Sequence, residues 1–105
     1  MTSNRGPNRA IADALDEALR LHQAGHLKAA DERYEAILAQ HPDSADAAHY
    51  LGVCRLQQGD AQAAYALLHA AAERLPGHPQ VQNNLGEALR GSVDGRRPNG
   101  RIGGQ

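Results

Sequence analysis

The sequence predicts an all-α fold: an antiparallel helix-turn-helix solenoid of five helices, about two and a half repeats long. Three observations carry this. The first is self-similarity at a period of 34 residues. Slid back by one period, Ala45–His78 falls on Ile11–Ser44. Gly25 then lies under Gly59, Ala30 under Ala64, Tyr34 under Leu68, Ile37 under Ala71 and Pro42 under Pro76. Slid forward, Leu85-Gly86 falls under Leu51-Gly52. The second is apolar spacing of three and four residues in stretches closed by Gly or Pro. The third is composition: three Tyr and no Trp or Phe, with Ala and Leu filling the apolar places, as suits closely packed helices.

Met1–Pro7 is polar, contains Gly and Pro, and is expected to be disordered, with the domain starting near residue 9. Asn8 is the expected N-cap of a first helix from about Arg9 to Ala24, with Ile11, Leu15, Ala18, Leu19 and Leu21 at helical spacing. Leu27 to Gln40 forms its partner, with Leu27, Ala30, Tyr34, Ile37 and Leu38 inward. His41-Pro42-Asp43-Ser44 is a turn, and Ser44 caps a third helix running to about Gln58. The fourth runs from about Ala61 to Arg74. Pro76-Gly77-His78-Pro79 is the next turn, with Pro79 at a first helical place, where its missing N–H is harmless. The fifth helix spans about Gln80 to Arg90, with Val81, Leu85, Ala88 and Leu89 toward helix four. Residues 91–105 carry five Gly and no helical period, and are expected to be a disordered Gly/Arg-rich tail whose deletion leaves the melting temperature unchanged.

Each repeated position has a physical reason. Leu51 and Leu85 point into the repeat core. Gly52 and Gly86, with Ala18 in the first copy, let the second helix of a pair approach closely. Gly25 and Gly59 end first helices, where a left-handed residue caps best. Asp60 then caps the following helix through its carboxylate. Ala30 and Ala64 keep the crossing tight, and Pro42 and Pro76 stop the second helices.

Composition narrows the function. The chain has 105 residues, enough for one small domain. Eleven basic and twelve acidic side chains nearly cancel, which removes a global argument for nucleic acid or an acidic ligand. Cys54 is alone, so no intrachain disulfide forms; a reducing, cytoplasmic setting fits, and a buried inert thiol is expected. Met1–Pro7 lacks an apolar stretch, so no secretory signal is expected there. The most apolar run, Ala61–Ala72, is interrupted by Gln62, Tyr65 and His69 and is shorter than a membrane span, so no membrane partner is expected.

The 34-residue unit closely resembles the tetratricopeptide repeat, and the resemblance covers about residues 11–90, as copies 11–44, 45–78 and a partial 79–90. There are departures. Glu17 stands where the family favours Leu, and Ala14, Ala48 and Gln82 stand where an aromatic is common. The resemblance implies a non-catalytic module that holds a peptide or partner protein in a concave groove, with no cofactor. It implies contact places on the first helix of each pair: Ala12, Leu15, Asp16, Leu19, His22 and Gln23 in the first copy, Asp46, His49, Tyr50, Val53, Leu56 and Gln57 in the second, and Gln80, Asn83, Asn84, Glu87 and Arg90 in the third. Singled out among them are His49, Tyr50, Val53, Gln57, Asn83, Asn84 and Glu87. Tyr offers area and a polar tip at low entropy cost, and Asn can pair with a peptide backbone.

The subfamily that clamps carboxyl-terminal peptides uses Lys, Arg and Asn at set places. Here Leu15, Leu19, Tyr50, Gln80 and Asn84 occupy them, and Asn84 alone fits, so that reading is rejected. Asn83–Arg90 resembles repeats of O-linked N-acetylglucosamine transferases and related bacterial transferases. The alternative reading is therefore a truncated N-terminal repeat segment of a glycosyltransferase or sulfotransferase that recruits substrate. Two readings of the ending stay open: a small domain capped by helix five, or a fragment interrupted after residue 90. An unfinished third repeat exposing Leu85 and Leu89 would support a homodimer.

Other chemistry finds little purchase. His22 and His26 are four apart but separated by Gly25, and no ligand set shows recognised metal spacing. Arg96, Arg97 and Arg101 have no aromatic companions for stacking, and three Arg give a weak, salt-sensitive contact at best, so nucleic acid is not the expected partner.

Overall fold

The computed structural model describes residues 7–93, which form five helices: α1 Pro7–Gln23, α2 Leu27–Gln40, α3 Ala45–Gln57, α4 Ala61–Arg74 and α5 Pro79–Val93. Among the described residues there is no strand. Each helix packs mainly on its chain neighbours, and α1 and α5 also touch α3. The architecture is an all-α, antiparallel helical solenoid.

The turns repeat as the period requires. After α1, the His26 N–H bonds the Leu21 carbonyl and the Gly25 N–H bonds that of His22. After α3, the Asp60 and Gly59 N–H groups make the same two bonds to Arg55 and Leu56. This pair of bonds needs a left-handed residue, and Gly25 and Gly59 both have φ of 88°. Ser44 caps α3 by accepting from the Ala47 N–H, and Asp60 caps α4 by accepting from Ala63.

Buried residues form three clusters, with partly buried Leu38 and Leu67 packed against both the first and the second. Ala18, Ala30, Tyr34, Leu51 and Cys54 fill the first interface, Ala48, Ala71 and Val81 the second, and Ala64, Leu68 and Ala88 the third. Small side chains at these crossings bring the helices close. At Gly52 an added Cβ would lie 2.6 Å from Leu68 Cγ. A polar tie reinforces α2 against α3. Arg55 Nε donates to Asp31 Oδ2 at 2.5 Å and its Nη2 to Asp31 Oδ1 at 3.1 Å. Arg55 also bonds Glu35, and Gln58 donates to Asp31. Burial pushes the Asp31 carboxyl up, but the bonds from Arg55 and Gln58 outweigh it and hold the carboxyl below its usual range.

The structure corrects three expectations. Helix α1 begins at Pro7, so Asn8 is inside the helix and does not cap it. Pro at a first helical position explains the earlier start. Helix α5 continues past Arg90 through Val93 despite its Gly. Gly91 packs against α4 so tightly that a Cβ there would lie 2.8 Å from that of Ala61. Leu89, expected toward helix four, is 48% exposed, whereas Val81 and Ala88 are buried. Of the ends expected to be disordered, Pro7, Asn8 and residues 91–93 are helical; the remainder lies outside the described residues.

Candidate functional site

Helices α1, α3 and α5, the first of each pair, line a groove of about 540 Å³. Leu19, His22 and Gln23 come from α1, and His49, Tyr50, Val53 and Gln57 from α3. Gln80, Asn83 and Asn84 come from α5. The spacing explains the grouping: residues three and four apart share a helix face, and the 34-residue period sets the three faces side by side. Six of the seven residues singled out from the sequence line this one groove. The seventh, Glu87, is exposed and does not line it.

The groove is tied together by two imidazoles. His22 sits between Tyr34 and Gln57, with Nδ1 2.9 Å from the Tyr34 hydroxyl and Nε2 2.7 Å from Gln57 Oε1. An amide oxygen can only accept, so Nε2–H donates to Gln57 and Nδ1 accepts from Tyr34. One ring thereby joins α1, α2 and α3. Tyr34 is fully buried, and burial raises its phenol well above the ordinary value, so it remains a neutral donor.

The second imidazole is His49, only 4% exposed although its edge reaches the groove. Its ring stacks on Tyr50 with centroids 4.9 Å apart and meets His78 edge-on at 5.7 Å. Asn84 Nδ2 donates to His49 Nε2 at 3.2 Å, joining α5 to α3. Burial lowers the His49 pKa and nearby His78 lowers it further, against a smaller opposing pull from Asp46. His49 is therefore a neutral acceptor at neutral pH. His78 in turn accepts from the Val81 N–H through Nδ1 at 3.3 Å and caps α5. Tyr50 lies between two rings, its other neighbour being Tyr34 at 6.4 Å and nearly parallel, so its orientation is fixed by packing.

These contacts went unread in the sequence. His22, Tyr34 and His78 support the groove through bonds between residues far apart in the chain, and such pairs leave no local pattern. The one available hint was that His78 occupies the place of Ser44 one period on, which marked it as a capping position.

The groove holds no hydroxyl or thiol nucleophile set against a base. Cys54 lies outside it, buried, with Sγ donating to the Leu27 carbonyl at 3.3 Å, and burial raises its thiol pKa. Among the described residues, no three His, Cys, Asp or Glu side chains gather to hold a metal ion. No helix among them is long and apolar enough to cross a membrane.

Comparison with known families matches residues 21–87 to the tetratricopeptide repeat. The chain belongs to the tetratricopeptide repeat family. Comparison with curated proteins finds no match. Tetratricopeptide repeats are commonly protein-interaction modules and generally non-catalytic. The match is to the repeat as such, and gives no support to a particular kinship with transferases.

Proposed function

We propose that this tetratricopeptide repeat chain is a non-catalytic binding module that holds a peptide segment of a partner protein in the groove between α1, α3 and α5. The observation that carries this reading is unused hydrogen-bonding capacity. Among the described residues, the Tyr50 hydroxyl and the Gln23, Gln80 and Asn83 carboxamides line the groove without an internal partner. Tyr50 supplies area and a polar tip, and Asn83 and Gln80 supply donor and acceptor together. His49, Asn84 and Gln57 hold this surface in shape, Val53 gives it an apolar patch, and Glu87 flanks it.

The test is affinity capture of partners followed by titration calorimetry on wild type, Asn83→Ala and Tyr50→Ala. Each substitution is expected to weaken binding at least about tenfold, equivalent to about 1.4 kcal/mol. Unchanged affinity in both variants refutes the groove as the site. The outward face of α5, where Leu89 is exposed, supports self-association as a second use of the chain. A monomer mass by light scattering at tens of micromolar refutes it.

A further inference from the structure

The groove floor carries no formal charge. Its ten lining residues include five carboxamides, two imidazoles, one tyrosine and two aliphatic side chains, but no Lys, Arg, Asp or Glu. The charges lie beside it. Asp16 is three residues before Leu19, Asp46 three before His49, and Glu87 three after Asn84, so helical spacing sets all three carboxylates on the groove-bearing faces. All three are exposed and, among the described residues, none is in an ion pair. Among the described residues two cations are placed comparably: Arg20, three residues before Gln23, and Arg90, seven residues after Asn83; both are exposed. By contrast Arg9, Arg33, Arg55 and Arg74 are all engaged by carboxylates away from the floor.

We infer that the groove selects an extended internal peptide segment with an uncharged centre and a Lys or Arg flank. The inference rests on the binding reading above and names its partner's chemistry. A charged side chain pressed onto this floor would lose water without gaining a counter-ion, which is strongly unfavourable. A free terminal carboxylate finds no cation on the floor, and the carboxylates beside it outnumber Arg20 and Arg90. An extended backbone presents one N–H and one C=O per residue. A carboxamide both donates and accepts, so the floor matches that pattern without charge. Three helices at about 10 Å spacing span about 20 Å, or about six extended residues. A basic flank then reaches the carboxylates on either side.

The test uses the full chain and arrays of end-blocked peptides of about seven residues with randomised uncharged centres. They are made in four versions: Lys-flanked, Glu-flanked, unflanked, and unflanked with a free carboxyl terminus. Retained peptides are remeasured by fluorescence polarisation at low and high salt, against wild type and Asn83→Ala. Circular dichroism confirms that the variant, altered at an exposed residue, remains folded. The expected result is retention from the Lys-flanked set, with at least about tenfold preference over Glu flanks at low salt. The preference shrinks at high salt as the rim is screened, while binding of the centre persists and is lost in Asn83→Ala. Preference for Glu flanks or for a free carboxylate, with binding still lost in Asn83→Ala, overturns the inference and leaves the groove reading standing. Absence of retention in every set, or retention indifferent to Asn83→Ala, overturns both.

Discussion

Gly52 and Gly86 are one period apart and chemically identical, yet alanine should act on them with opposite sign. A Cβ at residue 52 would lie 2.6, 3.0 and 3.2 Å from Cγ, Cδ2 and Cδ1 of Leu68. Carbon atoms prefer about 3.5–4.0 Å, so the overlap is close to 1 Å at the branch point of a fully buried side chain. Leu68 has no open space to enter, and overpacking of this kind costs about 1–3 kcal/mol. At residue 86 the nearest atom is the end of Arg90, 3.9 Å away. Both replacements gain about 0.5–1 kcal/mol from removing a helical glycine, and that gain cancels between the two variants. Gly52→Ala should therefore be less stable than Gly86→Ala by about 1–3 kcal/mol, and Gly86→Ala should exceed wild type. For a domain of this size the separation is about 5–20 °C in Tm. Thermal and urea unfolding followed by far-ultraviolet circular dichroism measure both quantities. Adding Leu68→Ala to Gly52→Ala should make the two costs sum to less than their separate values, because the smaller side chain removes the overlap. Equal shifts at the two glycines, or a Gly52→Ala protein more stable than wild type, would refute the reasoning.

Other outcomes follow from the same geometry. Gly91→Ala should destabilise by about 1 kcal/mol, measured by urea unfolding, because the rigid Ala61 methyl cannot yield. Tyr34→Phe should cost about 1–3 kcal/mol by the same assay, since it leaves His22 Nδ1 without its donor beside a buried ring. Unfolding free energy should fall on acidification from pH 7 through the ordinary histidine range near about 6.5 and below. His49 binds a proton more weakly when folded, so the unfolded chain takes it up first; His49→Gln should flatten this slope in a pH series of denaturant titrations. Asp31 works at lower pH: its contribution is present above the usual carboxylate pKa near about 3.9 and is lost as pH falls through its lowered folded value. Arg55→Met should remove that component, read as the difference in acid-limb slope between the two proteins.

What the sequence revealed, and what it hid, follows from the range of each interaction. The turns were legible because Gly25, Gly59, Ser44 and Asp60 act on backbone groups within a few residues. The close crossings at Ala30, Gly52 and Ala64 were legible because small residues recur at one offset, but the same recurrence marked Gly86, which meets no second helix among the described residues. The groove-lining places came from the family resemblance, carried from copy to copy by the 34-residue period. The continuation of α5 was hidden because Gly91 reads as a breaker until Ala61 is seen beside it. The exposure of Leu89 was hidden because hydropathy marks a residue as apolar without saying whether a neighbour is there to cover it. His49 looked like a surface contact residue. Its burial depends on Tyr50, His78 and Asn84 closing around it, the last 35 residues away.

Packing of each helix on its chain neighbours has a kinetic and dynamic consequence. Nearly all pairings are local, so contact order is low and folding should be fast, propagating from any adjacent pair of helices. Among the described residues α1 and α5 each lean chiefly on one neighbour, so their amides should exchange with solvent before those of α3. Two walls of the groove are thus its most labile parts and the middle one its most persistent. An occupant touching all three would slow exchange at both ends of the chain together, a long-distance signature produced by a short ligand.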